Sequence, residues 1–166
     1  MSIGTTRILH VKLPVTDLQH SVDWYCRLMD LVLSYEFVED GELRGAVLHS
    51  PEGGFNLALR LRQYCAGTPD LAGFDVVGFH MTSRESLAGV QERCAALGAD
   101  STGIQDRGPH EAVVDVTDPD GTLLRFYWAD LAAAPDVFQG LEFHGDGPPD
   151  RVTEPRLRAP SVLGRT

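Results

Sequence analysis

Seven side chains carry groups able to bind or transform a small molecule, and their spacing relates them. His10 and Lys12 are two residues apart, Asn56 and Arg60 four apart, and Arg125 and Tyr127 two apart, while His80 follows Gly78 by two. Each set lies in a run that alternates apolar and polar residues, and even spacing puts its members on one side of a strand. Ala58 and Gly78 share those parities and leave room between the larger groups. Were these sides to face one another, they would form a cationic, hydrogen-bonding lining suited to an anionic or carbonyl-rich organic ligand held by bidentate guanidinium contacts. His10, with an ordinary imidazole pKa of about 6.5, can serve as general acid or base. Tyr127 or His80 would be its partner in proton transfer, and Arg125 would stabilise a developing oxyanion. A plainer reading of the two arginines pairs them near the rim with acids such as Asp115 or Glu42. His49 at a strand end and the His110-Glu111 pair read as solvated loop residues, and Trp24 and Tyr25 as core.

The elements that must position these groups come in a repeated order. Strand-like alternation over residues 7–14 is followed by a helix that Thr16 or Asp17 caps, with Val22, Tyr25, Leu28 and Met29 as its apolar stripe. Strands are expected at 31–38, 43–50 and 55–62. After an aperiodic stretch at 65–73 the order returns: a strand at 76–83, a helix ending near Gly98, short strands near 102–106 and 112–117, and a last strand at 122–128. Ser50-Pro51-Glu52-Gly53 precedes one terminal strand and Asp118-Pro119-Asp120-Gly121 the other, the latter with Asp, Pro and Gly where a type I turn wants them. The chain therefore reads β-α-β-β-β twice, an internal duplication. The expected fold class is α+β: two βαβββ modules (about 7–64 and 74–130) whose paired, curved mixed sheets surround a concave cavity, the default place for function. These modules would form one domain over 1–130. Residues 131–166 read as a Pro/Gly-rich extension, docked through Asp136-Val137-Phe138 and Leu141-Glu142-Phe143 and extended from about Gly145.

The rest of the composition narrows the classes. With 166 residues the chain can bury a sizeable core unaided. Its formal charge of -10 repels phosphate backbones, so no nucleic-acid partner is expected. No apolar run approaches the roughly 20 residues of a membrane helix, and no basic segment followed by an apolar stretch opens the chain, so a cytoplasmic protein without a membrane partner is expected. Cys26, Cys65 and Cys94 are odd in number and far apart, which argues against a disulfide framework or a Cys-rich zinc site.

Three stretches resemble the vicinal oxygen chelate superfamily of glyoxalases, bleomycin-resistance proteins and extradiol dioxygenases: HVKLPVTDLQHSVDWYCRLMDL, VVGFHMTSRESL and DVTDPDGTLLRFYW. The resemblance implies the paired-module fold, a homodimer, and four places for divalent-metal ligands. Those places fall on His10, Ala58, Val76 and Arg125, and only His10 can coordinate. His80 shares the parity of Val76 but lies about 13 Å further along a strand. No cofactor is expected on this reading; a divalent metal (Fe, Mn, Ni or Zn), with His10 as ligand, would need a rearranged set. The resemblance implies a small-molecule-binding protein with an incomplete metal site. The alternative is a lyase, isomerase or dioxygenase-like enzyme, metal-dependent or metal-free, acting on a small oxygenated metabolite.

Overall fold

The computed structural model describes residues 4–5, 7–133, 137, 139–144, 149–159, 161 and 164. Its first unit runs β1 (Val11–Val15), α1 (Leu18–Met29), β2 (Val32–Glu39), β3 (Glu42–His49) and β4 (Asn56–Leu61). The second repeats that order as β5 (Asp75–His80), α2 (Ser86–Leu97), β6 (Gln105–Asp106), β7 (Glu111–Thr117) and β8 (Leu123–Ala129). The sheets match strand for strand, β1-β4-β3-β2 and β5-β8-β7-β6, and in each the first strand lies parallel to the last while the remaining pairs are antiparallel. The duplication read from the sequence is thus a duplication of topology.

Local chemistry explains the boundaries. Asp17 caps α1, its Oδ1 accepting from the His20 amide at 3.0 Å, and Gly98 ends α2 with φ of 65°. The two equivalent turns close alike. The Gly53 amide donates to Ser50 Oγ at 2.9 Å, and the Asp120 and Thr122 amides donate to Asp118 Oδ1 at 2.9 and 2.8 Å. The first strand is shorter than the alternation over 7–14 suggests. It starts only at Val11, the register partner of Leu57, and upstream the Leu9 carbonyl accepts from the Asn56 side chain. The strand expected over 76–83 ends at His80, where Thr82 and Ser83 turn the chain into α2. Gly45 in β3 answers a close approach: a Cβ there would lie 2.0 Å from Phe37 Cζ and 2.3 Å from the Leu59 carbonyl oxygen.

One hydrophobic cluster spans both units. Leu13, Val15, Tyr25, Leu57 and Leu59 from the first join Leu87, Val114, Val116, Leu124 and Phe126 from the second, all buried. Trp24 and Tyr25 belong to it, as the sequence indicates. Polar contacts reinforce the junction from a place the sequence marks only as a turn. Tyr25 donates to Asp118 Oδ2 at 2.7 Å, and the Thr16 amide donates to Asp120 Oδ1 at 3.0 Å. Arg93 Nη1 meanwhile reaches the Leu28 carbonyl from α2 at 3.1 Å.

Beyond residue 130 the chain adds β9 (Gly140–Glu142), paired antiparallel with β10 (Asp150–Val152). The sequence suggests no element there, since three-residue strands are too short to show periodicity. Leu141 and Phe143 remain about half exposed, although the Arg107 guanidinium lies over the Phe143 ring. Asp136, Phe138 and Gly145 lie outside the described residues.

Candidate functional site

The start of β1 and the end of β5 meet at a cavity of about 510 Å³. Ile8, Leu9, Val11, Phe55, Leu57, Val77 and Phe79 supply apolar wall, and His10, Asn56 and His80 supply its side-chain polar groups. The row of rings from Phe55 to Phe79 to Phe126, with centroids 5.5 and 5.4 Å apart, ties this wall to the core. Asn56 organises the rim. Its Nδ2 donates to the Leu9 carbonyl at 3.3 Å, holding the segment before β1, and its Oδ1 lies 2.9 Å from His49 Nδ1. His80 Nε2 sits 3.1 Å from the Ala129 carbonyl oxygen, a contact that favours the tautomer with the proton on that nitrogen. Gly78 keeps the space open, because a Cβ there would meet nothing closer than the Arg125 carbonyl oxygen at 4.0 Å.

Of the seven candidates, His10, Asn56 and His80 come together at this cavity; the others do not line it. Lys12 and Arg60 both lie against Phe37, at 5.4 and 5.7 Å from its centroid. Arg60 makes a two-pronged pair with Glu39, at 2.9 Å for each prong, and the Arg60 hydrogen bond is the main reason the Glu39 carboxyl falls to about 2. Arg125 is held between Asp115 at 2.8 Å and Asp75, also at 2.8 Å. Tyr127 donates to Glu111, and burial, with this hydrogen bond second, pushes its phenol up to about 12. The cationic lining suggested by the sequence is therefore largely charge-matched. Pairing at Arg125 uses Asp115, one of the acids the sequence offers, whereas the partner of Arg60 is Glu39 rather than Glu42.

Local pattern does not single out Glu39, Asp75 or Glu111 as partners. Asp115 faces Arg125 directly across β7 and β8, so simple register finds it. Glu39 is hidden by irregularities in the β2–β3 pairing between Leu33 and Tyr35 and again between Phe37 and Val38, which break the parity count. Asp75 is hidden by a similar shift between Asp75 and Val77.

A divalent metal does not fit the residues found here. At the family's ligand places Ala58 is buried and without a donor, Val76 is aliphatic, and Arg125 holds a guanidinium in place with two carboxylates. Among the described residues no three His, Cys, Asp or Glu side chains converge. No step through a metal is derived for this chain.

Paired βαβββ units with helices on one side and an apolar, sparsely polar cavity where β1 and β5 meet define the α+β architecture of the chain. A sequence model of the Glyoxalase/Bleomycin resistance protein/Dioxygenase superfamily matches residues 7–126, and the chain belongs to that superfamily. Solved structures agree. A glyoxylase/bleomycin resistance protein/dioxygenase domain from Frankia sp. EAN1pec is 26% identical, with 76% of this chain and 99% of that one covered at a TM-score of 0.61. TnmS3, an antibiotic binding protein from Streptomyces sp. CB03234, is 13% identical over 78% and 100% of the two chains at a TM-score of 0.63. A mutant of the fosfomycin resistance protein FosX from Listeria monocytogenes, complexed with Mn(II) and 1S,2S-dihydroxypropylphosphonic acid, is 15% identical over 77% and 96% at 0.61. No curated protein sequence matches the chain.

Proposed function

We propose that this protein binds a small organic molecule in the cavity between β1 and β5, without a metal, and sequesters it. The observation that carries this reading is the cavity itself: about 510 Å³, walled by aliphatic and aromatic side chains, with Asn56 and two imidazoles as its polar side chains. Apolar walls supply affinity by burying ligand surface, and the few polar groups fix orientation. Asn56 is already committed to Leu9 and His49, which leaves His10 to donate to a ligand carbonyl or carboxylate and the free nitrogen of His80, an acceptor in that tautomer, to take a ligand hydroxyl. The antibiotic-binding neighbour TnmS3 supports a binding role. We also read the protein as a cytoplasmic homodimer, in which a second copy covers the apolar side chains that edge strand β2 leaves exposed.

One observation favours a second reading, an enzyme: His10 and His80 share the cavity, so an acid and a base can address one ligand. On that reading the reaction is a metal-free proton transfer of the isomerase or lyase kind.

Gly78→Leu tests the site. Gly78 lines the cavity and a Cβ there would meet nothing closer than 4.0 Å, so thermal stability should hold while binding weakens. The probe is 1-anilinonaphthalene-8-sulfonate, followed by fluorescence and calorimetry. A loss of affinity of about tenfold or more is expected. Equal affinity in the two proteins would place binding elsewhere and sink the reading. For the enzyme, turnover abolished by His10→Ala at unchanged ligand affinity would decide in its favour.

A further inference from the structure

A second cavity, of about 460 Å³, lies at the same end of the second sheet one strand further on, where β9 and β10 roof the end of β8 and the loop before β7. Most of its wall comes from Tyr127 onward, past the 7–126 stretch that the superfamily model matches, so it is built by what this chain adds to the shared fold. We propose that this chamber binds a small amphipathic carboxylate, with an aryl or medium-length alkyl body, through Arg107 and Arg151.

The charge arrangement selects that chemistry. Two carboxylates line the chamber and both are engaged: Glu111 accepts the Tyr127 hydroxyl, and Asp130 Oδ2 lies 3.5 Å from His110 Nδ1. The two guanidiniums have neutral neighbours instead. The Arg107 Cζ lies over the Phe143 ring, 5.5 Å from its centroid, and Arg151 donates to the side-chain oxygen of Gln139. Among the described residues neither lies within ion-pair distance of an acid. A cation–π contact uses none of the N–H donors of a guanidinium, and a carboxylate matches that fork. The Tyr127 phenol, protonated near neutrality, keeps Glu111 occupied through its hydrogen bond. The remaining wall, including Leu131, Ala133 and Leu141, offers an apolar surface for the ligand body, and the volume lies within the range of roughly 300–1,000 Å³ usual for such sites.

Calorimetric titration of the full chain with octanoate and 4-phenylbutyrate tests this, with octan-1-ol as the uncharged counterpart. The carboxylates should bind with Kd of about 1 mM or below, and octan-1-ol about tenfold more weakly. The double variant Arg107→Gln/Arg151→Gln should weaken the carboxylates about tenfold and leave octan-1-ol unchanged. Gly78→Leu, which fills the other cavity, should change neither. Three outcomes overturn the proposal: no carboxylate binding at about 10 mM, undiminished carboxylate binding in the double variant, or binding lost in Gly78→Leu, which would assign the carboxylates to the β1–β5 cavity. Circular dichroism of the double variant separates lost contacts from lost fold, and a misfolded double variant is replaced by the two single substitutions.

Discussion

Glu39 shows how one side chain sets both local electrostatics and acid response. Its carboxylate accepts both prongs of Arg60 and also lies 3.1 Å from Arg44 Nη1, so two guanidiniums hold its ionised form. The folded pKa of about 2 lies below the ordinary value of 4.5. A depressed carboxylate pKa contributes stability that is complete above the ordinary value and lost as pH falls through the folded one. Asp118 has the opposite sign. Burial raises it despite hydrogen bonds from Tyr25, Thr122 and Asp120, so its contribution favours the fold at low pH and fades as pH rises through its raised value. Urea unfolding should therefore show the native protein losing stability between pH 4.5 and 2, and Glu39→Gln flattening that loss. An unchanged acid limb would mean that solvent screens the half-exposed Arg60–Glu39 pair completely.

At the scale of elements, glycines mark where strands and helices are constrained and where they are not. Gly45 sits on β3 between β2 and β4, and any Cβ would strike the Phe37 ring and the Leu59 carbonyl. Gly45→Ala should cost about 1–3 kcal/mol, the range for overpacking, as measured by chemical denaturation. Gly89 lies within α2, where an added methyl group would meet nothing inside 4 Å, so Gly89→Ala should stabilise by about 0.5–1 kcal/mol. Opposite signs from the same chemical change would confirm that packing, not propensity, decides at β3. The sequence shows both residues simply as glycine. The approach of Phe37 and of the Leu59 carbonyl from the neighbouring strands distinguishes them.

For the whole molecule, the central question is what covers the first sheet. Val32, Leu33, Tyr35 and Val38 on β2, with Leu43 on β3, are 43–60% exposed. A row of such residues on an edge strand invites pairing or association, and the proposed second copy would bury it. Sedimentation should give a dimer for the native chain and a monomer for Tyr35→Glu/Val38→Glu. A native monomer at micromolar concentration would refute the homodimer.

Much of this architecture is legible in the residues. The alternation, the capping Asp17, the Gly98 stop and the twin turns at Ser50 and Asp118 determine a duplicated β-α-β-β-β order, because hydrophobic periodicity and turn chemistry act within a few residues. The same local signals bring out His10, Asn56 and His80, which do share a cavity. Partner choice across the sheets is not legible. That Glu39 takes Arg60, that Asp75 joins Asp115 on Arg125, and that Asp118 reaches Tyr25 depend on register shifts and on contacts between residues up to 93 apart. Short-range pattern thus determined the elements and their order. Charge pairing, the two cavities and the roof that β9 and β10 form were decided only in three dimensions, since each rests on which distant side chains the folded sheets bring within a few ångströms.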